Sequence, residues 1–444
     1  MILKNDKKVI RSWAFFDWAN SAYNLVITST IFPAYYTIIT TTPENGDKVS
    51  FFGFKFVNTA LANYALAFAY LVIVLLSPVL SSIADNKGNK KIYMKFFTYM
   101  GALACCGLYF FNLETLELGI ICFALAAIGY AGGFVFYNSY LPEIATLDQQ
   151  NAVSAKGFSF GYIGSVILQL ICFAFVLYPA TFGISDGSFP ARFSFLLVGI
   201  WWIGFAQIPF KVLPKGSPNF NTDGHKKSEN GFKELKKVWL QVKEMTVLKK
   251  FLTAFFFYSM GVQTTMLAAA SFGEKILHLP TANLIMIILI IQLVAILGAN
   301  LMSSLSKVYG NIKVLIWVVI IWVFVCIAAY MVENATQFYI IAAVVGLVMG
   351  GIQSLSRSTY SKYIPEKTAD TASFFSFYDV TEKLAIVAGL FSFGFIEERT
   401  GSMRNSIIAL IGFFLLGLIF LLLLNRSAPP FIKEKTISGS GDII

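Results

Sequence analysis

Apolar residues in this chain neither alternate nor recur as narrow stripes. They run in near-continuous blocks of about 20, separated by short polar breaks, and each block is long enough to cross roughly 30 Å of hydrocarbon as an α-helix. Twelve blocks are predicted, at 13–40, 58–83, 92–112, 118–140, 157–180, 192–212, 250–273, 282–306, 313–333, 336–361, 371–396 and 403–425. The expected fold class is all-α: a polytopic membrane protein with twelve transmembrane helices. The first block is too long for a signal peptide and lacks a small-residue cleavage site, so it is expected to remain as the first helix.

The pattern also repeats. "SSIADNKGNKK" (Ser81–Lys91) follows the second block, and "SSLSKVYGNIK" (Ser303–Lys313) follows the eighth, 222 positions later. "GYAGGFVFYNSYLPE" (Gly129–Glu143) is echoed by "GLVMGGIQSLSRSTYSKYIPE" (Gly346–Glu366) in the same order. Two ordered echoes imply two pseudo-symmetric six-helix bundles, 1–212 and 250–426, with a linker at 213–249 and a tail at 427–444. Within the linker, "GFKELKKVWLQVKEM" places Phe232, Leu235, Val238 or Trp239, Val242 and Met245 at helical spacing with lysines elsewhere. It reads either as an amphipathic helix on the cytosolic membrane face or as a plain solvated linker.

Composition agrees with the blocks: 57% of residues are hydrophobic, 13% are charged, and mean hydropathy is +0.69. A soluble chain of 444 residues would carry far more charge. The net charge of +10 has a topological meaning. With the N-terminus inside, the loops on the other side hold only Lys48, Lys55, Arg192, Lys275, Arg399 and Arg404. Arg357 and Lys383 fall within blocks, and the remaining lysines and arginines fall on the inner side. This asymmetry places both termini in the cytosol, in a cell (inner) membrane, or a vacuolar-type membrane in a eukaryote. No basic motif points to nucleic acid.

All five cysteines lie inside blocks, so no disulfide framework is expected, and His225 and His278 are too far apart in sequence to suggest a metal site. No nucleophile–base arrangement, P-loop or metal cluster appears, and Glu397–Glu398 reads as an exposed turn. The expectation is a non-enzyme with no cofactor and no metal, acting as a monomer in the lipid bilayer.

Six plus six helices joined by a basic linker resemble the major facilitator architecture. The turn after the second block resembles that superfamily's Gly-x-x-x-Asp-Arg-x-Gly-Arg-Lys motif at Asp85, Gly88, Lys90 and Lys91, with Ser81, Asn86 and Asn89 departing from it. The resemblance implies a conformational clamp in which Asp85 accepts N–H groups at a helix start in the other half, while Gly88 permits the turn. The opening "WAFFDWANSAYNLVITSTIFPAYY" resembles the vacuole effluxer family, whose fungal members export amino acids from the vacuole. "FYNSYLPEIA", "SAKGFSFGYIGS", "RFSFLLVGIWWIGFAQIP", "GVQT", "GGIQSLSRSTYSKYIP" and "FFSFYDVTEKLAIVAG" fit the same family, from Trp13 to about Gly389. Many relatives carry Asp before "GVQT", where this chain has Met260, so any coupling role of that carboxylate is absent here or moved elsewhere.

The candidate chemistry is the polarity inside the blocks. At about 100° per residue, Asp17, Asn20, Ser21, Asn24 and Thr28 share one stripe of the first block, which points to a water-filled cavity or the bundle interior. Ser29 and Thr30 fall off that stripe and are expected to bond back to helix carbonyls. In the major facilitator architecture helices 1, 4, 7 and 10 line the path. This adds Asn138, Gln263, Gln353 and Arg357, with Tyr137, Tyr258, Thr264 and Ser356 nearby. Asp17, Asn20, Asn24, Asn138, Gln263, Gln353 and Arg357 are the candidate substrate-binding residues. Arg357 is expected to anchor a substrate carboxylate or Asp17. Asp379, Glu382 and Lys383 are candidate coupling residues, with Asp379 and Lys383 paired and Glu382 left to carry a proton. The same polar groups read equally as a helix-to-helix network. The function expected is a secondary transporter, symporter or antiporter, moving a small polar solute, possibly amino acids, by proton-coupled efflux. The alternative is a non-transporting sensor or scaffold with a transporter fold.

Overall fold

The blocks become helices that run past the hydrocarbon at one or both ends, because helical hydrogen bonding continues into the polar flanks. The computed structural model describes residues 3–43, 46–216, 231–366 and 368–427. Among these, twelve long helical segments follow one another: α1 (Lys7–Ala22, Tyr23–Ile31 and Phe32–Thr40 in succession), α2 (Asn58–Lys87), α3 (Lys90–Gly107), α4 (Leu116–Asn138), α5 (Gln150–Leu177), α6 (Phe189–Val212), α7 (Thr246–Leu277), α8 (Thr281–Tyr309), α9 (Asn311–Met331), α10 (Ala335–Tyr363), α11 (Thr371–Thr400) and α12 (Met403–Ser427). An amphipathic helix, Gly231–Glu244, precedes α7. Residues 217–230 of the linker and 428–444 of the expected tail lie outside the described residues.

Nine of the twelve are apolar enough over 18 residues to cross a membrane by composition alone, among the described residues. The other three each have a local reason. α3 holds Lys90, Lys91 and Lys95 in its 18 residues, α11 holds Asp379, Glu382 and Lys383 at its middle, and α1 is interrupted. Its central piece, Tyr23–Ile31, is π-helical. Pro33 stands just beyond; it offers no N–H and its ring crowds the carbonyl four residues back, so the turn before it widens. Within this piece hydroxyls bond back to helix carbonyls: Ser29 Oγ donates to Asn24 O at 2.9 Å, and Thr30 Oγ1 donates to Leu25 O at 2.8 Å. The expected back-bonding of Ser29 and Thr30 is present.

One departure from an all-helical chain is a β-hairpin between α1 and α2, β1 (Lys48–Phe51) and β2 (Phe54–Val57). Phe52 and Gly53 turn it with φ of 47° and 82°, the positive pair that a two-residue hairpin turn requires. At the opposite end of α2, Gly88 closes the helix at φ 62°, ψ 36°.

Buried apolar side chains form two clusters. One draws almost wholly on 13–213, the other almost wholly on 238–424. The halves meet where α2 packs on α11 and α5 packs on α8 and α10. Large apolar side chains such as Leu75, Leu297 and Phe391, each at least 65% exposed, stand outward. Helices satisfy most of their backbone polar groups internally, so lipid is the solvent that suits such a surface. The protein is a multi-pass membrane protein of the major facilitator fold. The face where α1 begins and α2 turns into α3 is called the basic face below.

Candidate functional site

Arg357 lies in the next-to-last turn of α10 and is 1% exposed. A guanidinium there must be satisfied on every side. Its Nη1 donates to Asp17 Oδ2 at 3.2 Å and to Asn138 Oδ1 at 3.3 Å. Nη2 donates to Ser154 O at 2.8 Å, and Nε donates to Ser154 Oγ at 3.0 Å. Tyr137 OH donates to the same Asp17 Oδ2 at 2.6 Å, while the buried Oδ1 has no hydrogen-bond partner among the described residues. The rings of Phe158, Trp13 and Tyr137 stand 4.1, 4.9 and 5.4 Å from the guanidinium carbon. One residue of the second half is thus held by α1, α4 and α5 of the first. Gly157 makes this possible: a Cβ there would lie 2.8 Å from Arg357 Nη2, Asp17 Oδ2 and Tyr137 OH. Gly161 and Gly164, on the same side of α5, likewise admit Ser21 and the Trp18 carbonyl of α1.

On the basic-face side of this knot, two hydrogen-bonded latches join the halves. Asp85, at the end of α2, accepts from Ala372 N at 3.1 Å, and from Ser373 N and Oγ at 2.7 and 2.8 Å. These are N–H groups of the first turn of α11, where the helix dipole favours a carboxylate. Lys90 pairs with Glu143, which also accepts from Thr371 Oγ1 at 2.8 Å. Lys91 instead donates to Leu213 O at 2.6 Å, within its own half. The second latch occupies the pseudo-symmetric turn: Asn151 Nδ2 donates to Asn311 Oδ1 at 2.7 Å and to Ser306 Oγ at 2.6 Å, and Asn311 returns a bond to Asn151 Oδ1 at 3.0 Å. At the rim, Asp148 is held below the usual carboxylate range by hydrogen bonding with Thr146 and Gln149.

Beyond the knot opens a cavity of about 150 Å³. Both halves line it: Ser21, Asn24, Asn138 and Tyr162 from one, Gln263, Gln353, Arg357 and Glu382 from the other. Tyr162 OH crosses the midline to donate to Gln353 Oε1 at 2.7 Å. Lys383 lies 3.3 Å from Asp379 Oδ1 and 2.8 Å from Glu382 Oε2, while Gln263 Nε2 donates to Glu382 Oε1 at 3.2 Å. Both acids line the cavity, but the Glu382 side chain is 23% exposed against 3% for Asp379, so Glu382 is the more open to cavity water.

The structure brings together Asn138 and Arg357 at the cavity floor, with Asp17 bonded to Arg357 but outside the lining, Asn24, Gln263 and Gln353 on the walls, and Asp379, Glu382 and Lys383 on α11. Asn20 does not join them. It is fully buried and absent from the cavity lining, and neither of its amide atoms has a protein partner. Of the predicted stripe, only the part that carries Ser21 and Asn24 turns to the cavity. Thr28 follows Asn20 inward because each residue of the wider π-turn advances by less than 100°. Sequence reasoning missed Ser154, Gly157, Asn151, Asn311 and Tyr162. The three-glycine spacing of "KGFSFGYIG" is the signal that marks close approach of α5 to another helix.

The family profile described as "Vacuole effluxer Atg22 like" matches residues 5–428. An MFS-type transporter of Bacillus subtilis (strain 168), YxiO, is 31% identical over 442 residues, covering 98% of this chain and 97% of that one. Autophagy-related protein 22 of Cryptococcus neoformans is 28% identical over 58% of this chain, and the match spans 48% of that longer protein. Among solved structures, the transporter FucP in its outward conformation superposes with a TM-score of 0.69 at 13% identity, over 94% of this chain and 98% of that one; at this identity the likeness concerns the fold.

Proposed function

This chain belongs to the Atg22-like vacuole effluxer family within the major facilitator transporters, and we propose that it moves a small zwitterionic solute such as an amino acid by alternating access, with protons as the coupling ion and efflux from the cytosol as the direction. The observation that carries the reading is the pairing of opposite charges in one cavity. Arg357 stands at its floor, and Glu382 is the more exposed of the two α11 acids that line it. A carboxylate on the solute competes with Asp17 for the guanidinium, and an ammonium competes with Lys383 for Glu382. Solute arrival thereby loosens the Arg357–Asp17 pair, which joins the two halves, and this is how binding biases one state over another.

With the basic face in the cytosol, the latched arrangement is the outward-facing state, and Asp85, Gly88 and Lys90 serve it as the clamp. Lys91 supports the clamp from within its own half. Asn24, Asn138, Gln263 and Gln353 orient the solute. Asn20, having no place in the lining, is left out of the binding set. Glu382, the acid more open to cavity water, carries the proton, while Lys383 pairs with Asp379.

The test uses proteoliposomes and an amino-acid panel, with a pH gradient imposed in one arm and equal pH in the other. Glu382→Gln is expected to lose gradient-driven accumulation and to keep solute exchange. Accumulation that survives removes the proton from Glu382, and absence of flux of any amino acid removes the solute class.

A further inference from the structure

The linker helix Gly231–Glu244 does not hang free beneath the bundle. Val238 and Val242 are 0% and 3% exposed, and the helix packs against α2, α7 and α11. The Trp239 ring lies 5.7 Å from the Phe377 ring of α11. α2 and α11 belong to different halves, and they are the two helices joined by Asp85 and the first turn of α11. The linker helix therefore covers the seam at the latch, and it remains docked only while α2 and α11 stay together.

Its outward side has a different character. At about 100° per residue, Leu235, Val238 and Val242 share the buried face, and Lys233, Lys236, Leu240 and Lys243 fall together on the opposite one. All four of the latter are exposed, Leu240 at 51%, and Trp239 beside them is 54% exposed. A solvated strap would carry lysines alone, and a strap buried in protein would carry neither. Lysines mixed with Trp and Leu on one exposed face fit a bilayer interface, where the apolar groups enter the headgroup boundary and the ammonium groups meet phosphates.

We propose that this helix is a lipid-responsive strap: its outward face docks on an anionic phospholipid surface, and that docking stabilises the latched state of the transporter. The thermodynamics are those of any ligand with differential affinity. Lipid that binds the helix in its seam-covering position favours the state in which the seam exists. Neutral phospholipid offers the apolar half of the contact without the charge, so it holds the strap more weakly.

The experiment needs no solute and is independent of what is transported. The full chain, with native cysteines replaced by alanine and spin labels at Leu147→Cys and Val308→Cys, is placed in nanodiscs of phosphatidylcholine alone or of phosphatidylcholine with phosphatidylglycerol. Both label sites are exposed on the basic face, in different halves. Electron–electron distance distributions then report the ratio of short (latched) to long separations. Acidic lipid is expected to raise that ratio by at least about fivefold, given the attraction of each surface lysine to an anionic leaflet. The variant Lys233→Gln/Lys236→Gln/Lys243→Gln should match wild type in phosphatidylcholine and lose the response to phosphatidylglycerol. Trp239→Ala should lower the ratio in both lipids. Identical distributions in the two lipids, or a triple variant that still responds, would overturn the proposal.

Discussion

Arg357 and Asp17 are 340 residues apart in sequence and 3.2 Å apart in space, each 1% exposed. A buried pair of this kind adds little net stability, but removing one partner strands a charge. Arg357→Gln and Asp17→Asn are each expected to lower stability by about 3–5 kcal/mol, because each leaves its former partner buried without a counter-charge. The double variant should cost much less than the sum of the two. Thermal unfolding of the four proteins in one detergent measures the coupling; additive losses would mean the two charges do not sense each other.

Gly157 is tied to the same pair by space alone. The single methyl of Gly157→Ala meets three polar atoms at 2.8 Å. Backbone on α5 and the two partners must shift, at an expected cost of about 1–3 kcal/mol for overpacking. Gly187→Ala has nothing within 4 Å and serves as the neutral control. The prediction is a lower unfolding temperature for the first variant only.

Asp85→Asn keeps the shape of the latch and removes its charge. The amide can still accept from one N–H of α11, but its own NH2 then faces donors. Charge-assisted bonds of this sort contribute about 1.5–3 kcal/mol, so the latched population is expected to fall at least about tenfold relative to the unlatched one. The distance distribution between spin labels at Leu147→Cys and Val308→Cys, recorded with and without the substitution, reads the change.

Membrane orientation is a separate expectation. A cysteine at Gly187, in the exposed loop before α6, should react with an impermeant maleimide on intact cells, and one at Val308 should react only after permeabilisation. The reverse pattern would invert the assignment of the basic face.

How much of this was legible in the sequence follows from what each feature depends on. The helices were, because a span of hydrocarbon imposes length and apolarity on each segment separately, and Asp85 and Gly88 were, because a tight turn and a helix start need particular residues. The pairing of Asp17 with Arg357 was stated only as an alternative, since depth in two helices does not determine which residues face each other. Asn20 was misplaced because a helical wheel assumes one pitch and a symmetrical environment, whereas only part of the stripe meets the cavity. The Asn151–Asn311 latch was hidden for a plainer reason. The second-half echo replaces the acid of the first with Lys307, and the bonding passed to neighbouring amides that look like ordinary polar residues.

The charges on α11 give the last prediction. Lys383 serves two acids, Asp379 at 3.3 Å and Glu382 at 2.8 Å, and it is the one cation in contact with either among the salt bridges of the described residues. Lys383→Met removes that cation and leaves two carboxylates four residues or fewer apart, Asp379 with a side chain only 3% exposed. Neither solvation nor pairing then supports both charges, so stability should fall by about 3–5 kcal/mol at neutral pH. The sign with pH follows from which form is penalised: the variant should recover stability as pH falls, because protonation removes the unpaired charge, and lose it as pH rises. Asp379→Asn/Lys383→Met takes away the deeper acid with its partner and leaves only Glu382, which cavity water reaches and Gln263 still supports. Most of the loss should therefore be restored in the double variant. Unfolding temperatures of the two variants and wild type between pH 5 and pH 8 measure this, and a pH-independent loss shared by both would show that Lys383 acts through packing rather than charge.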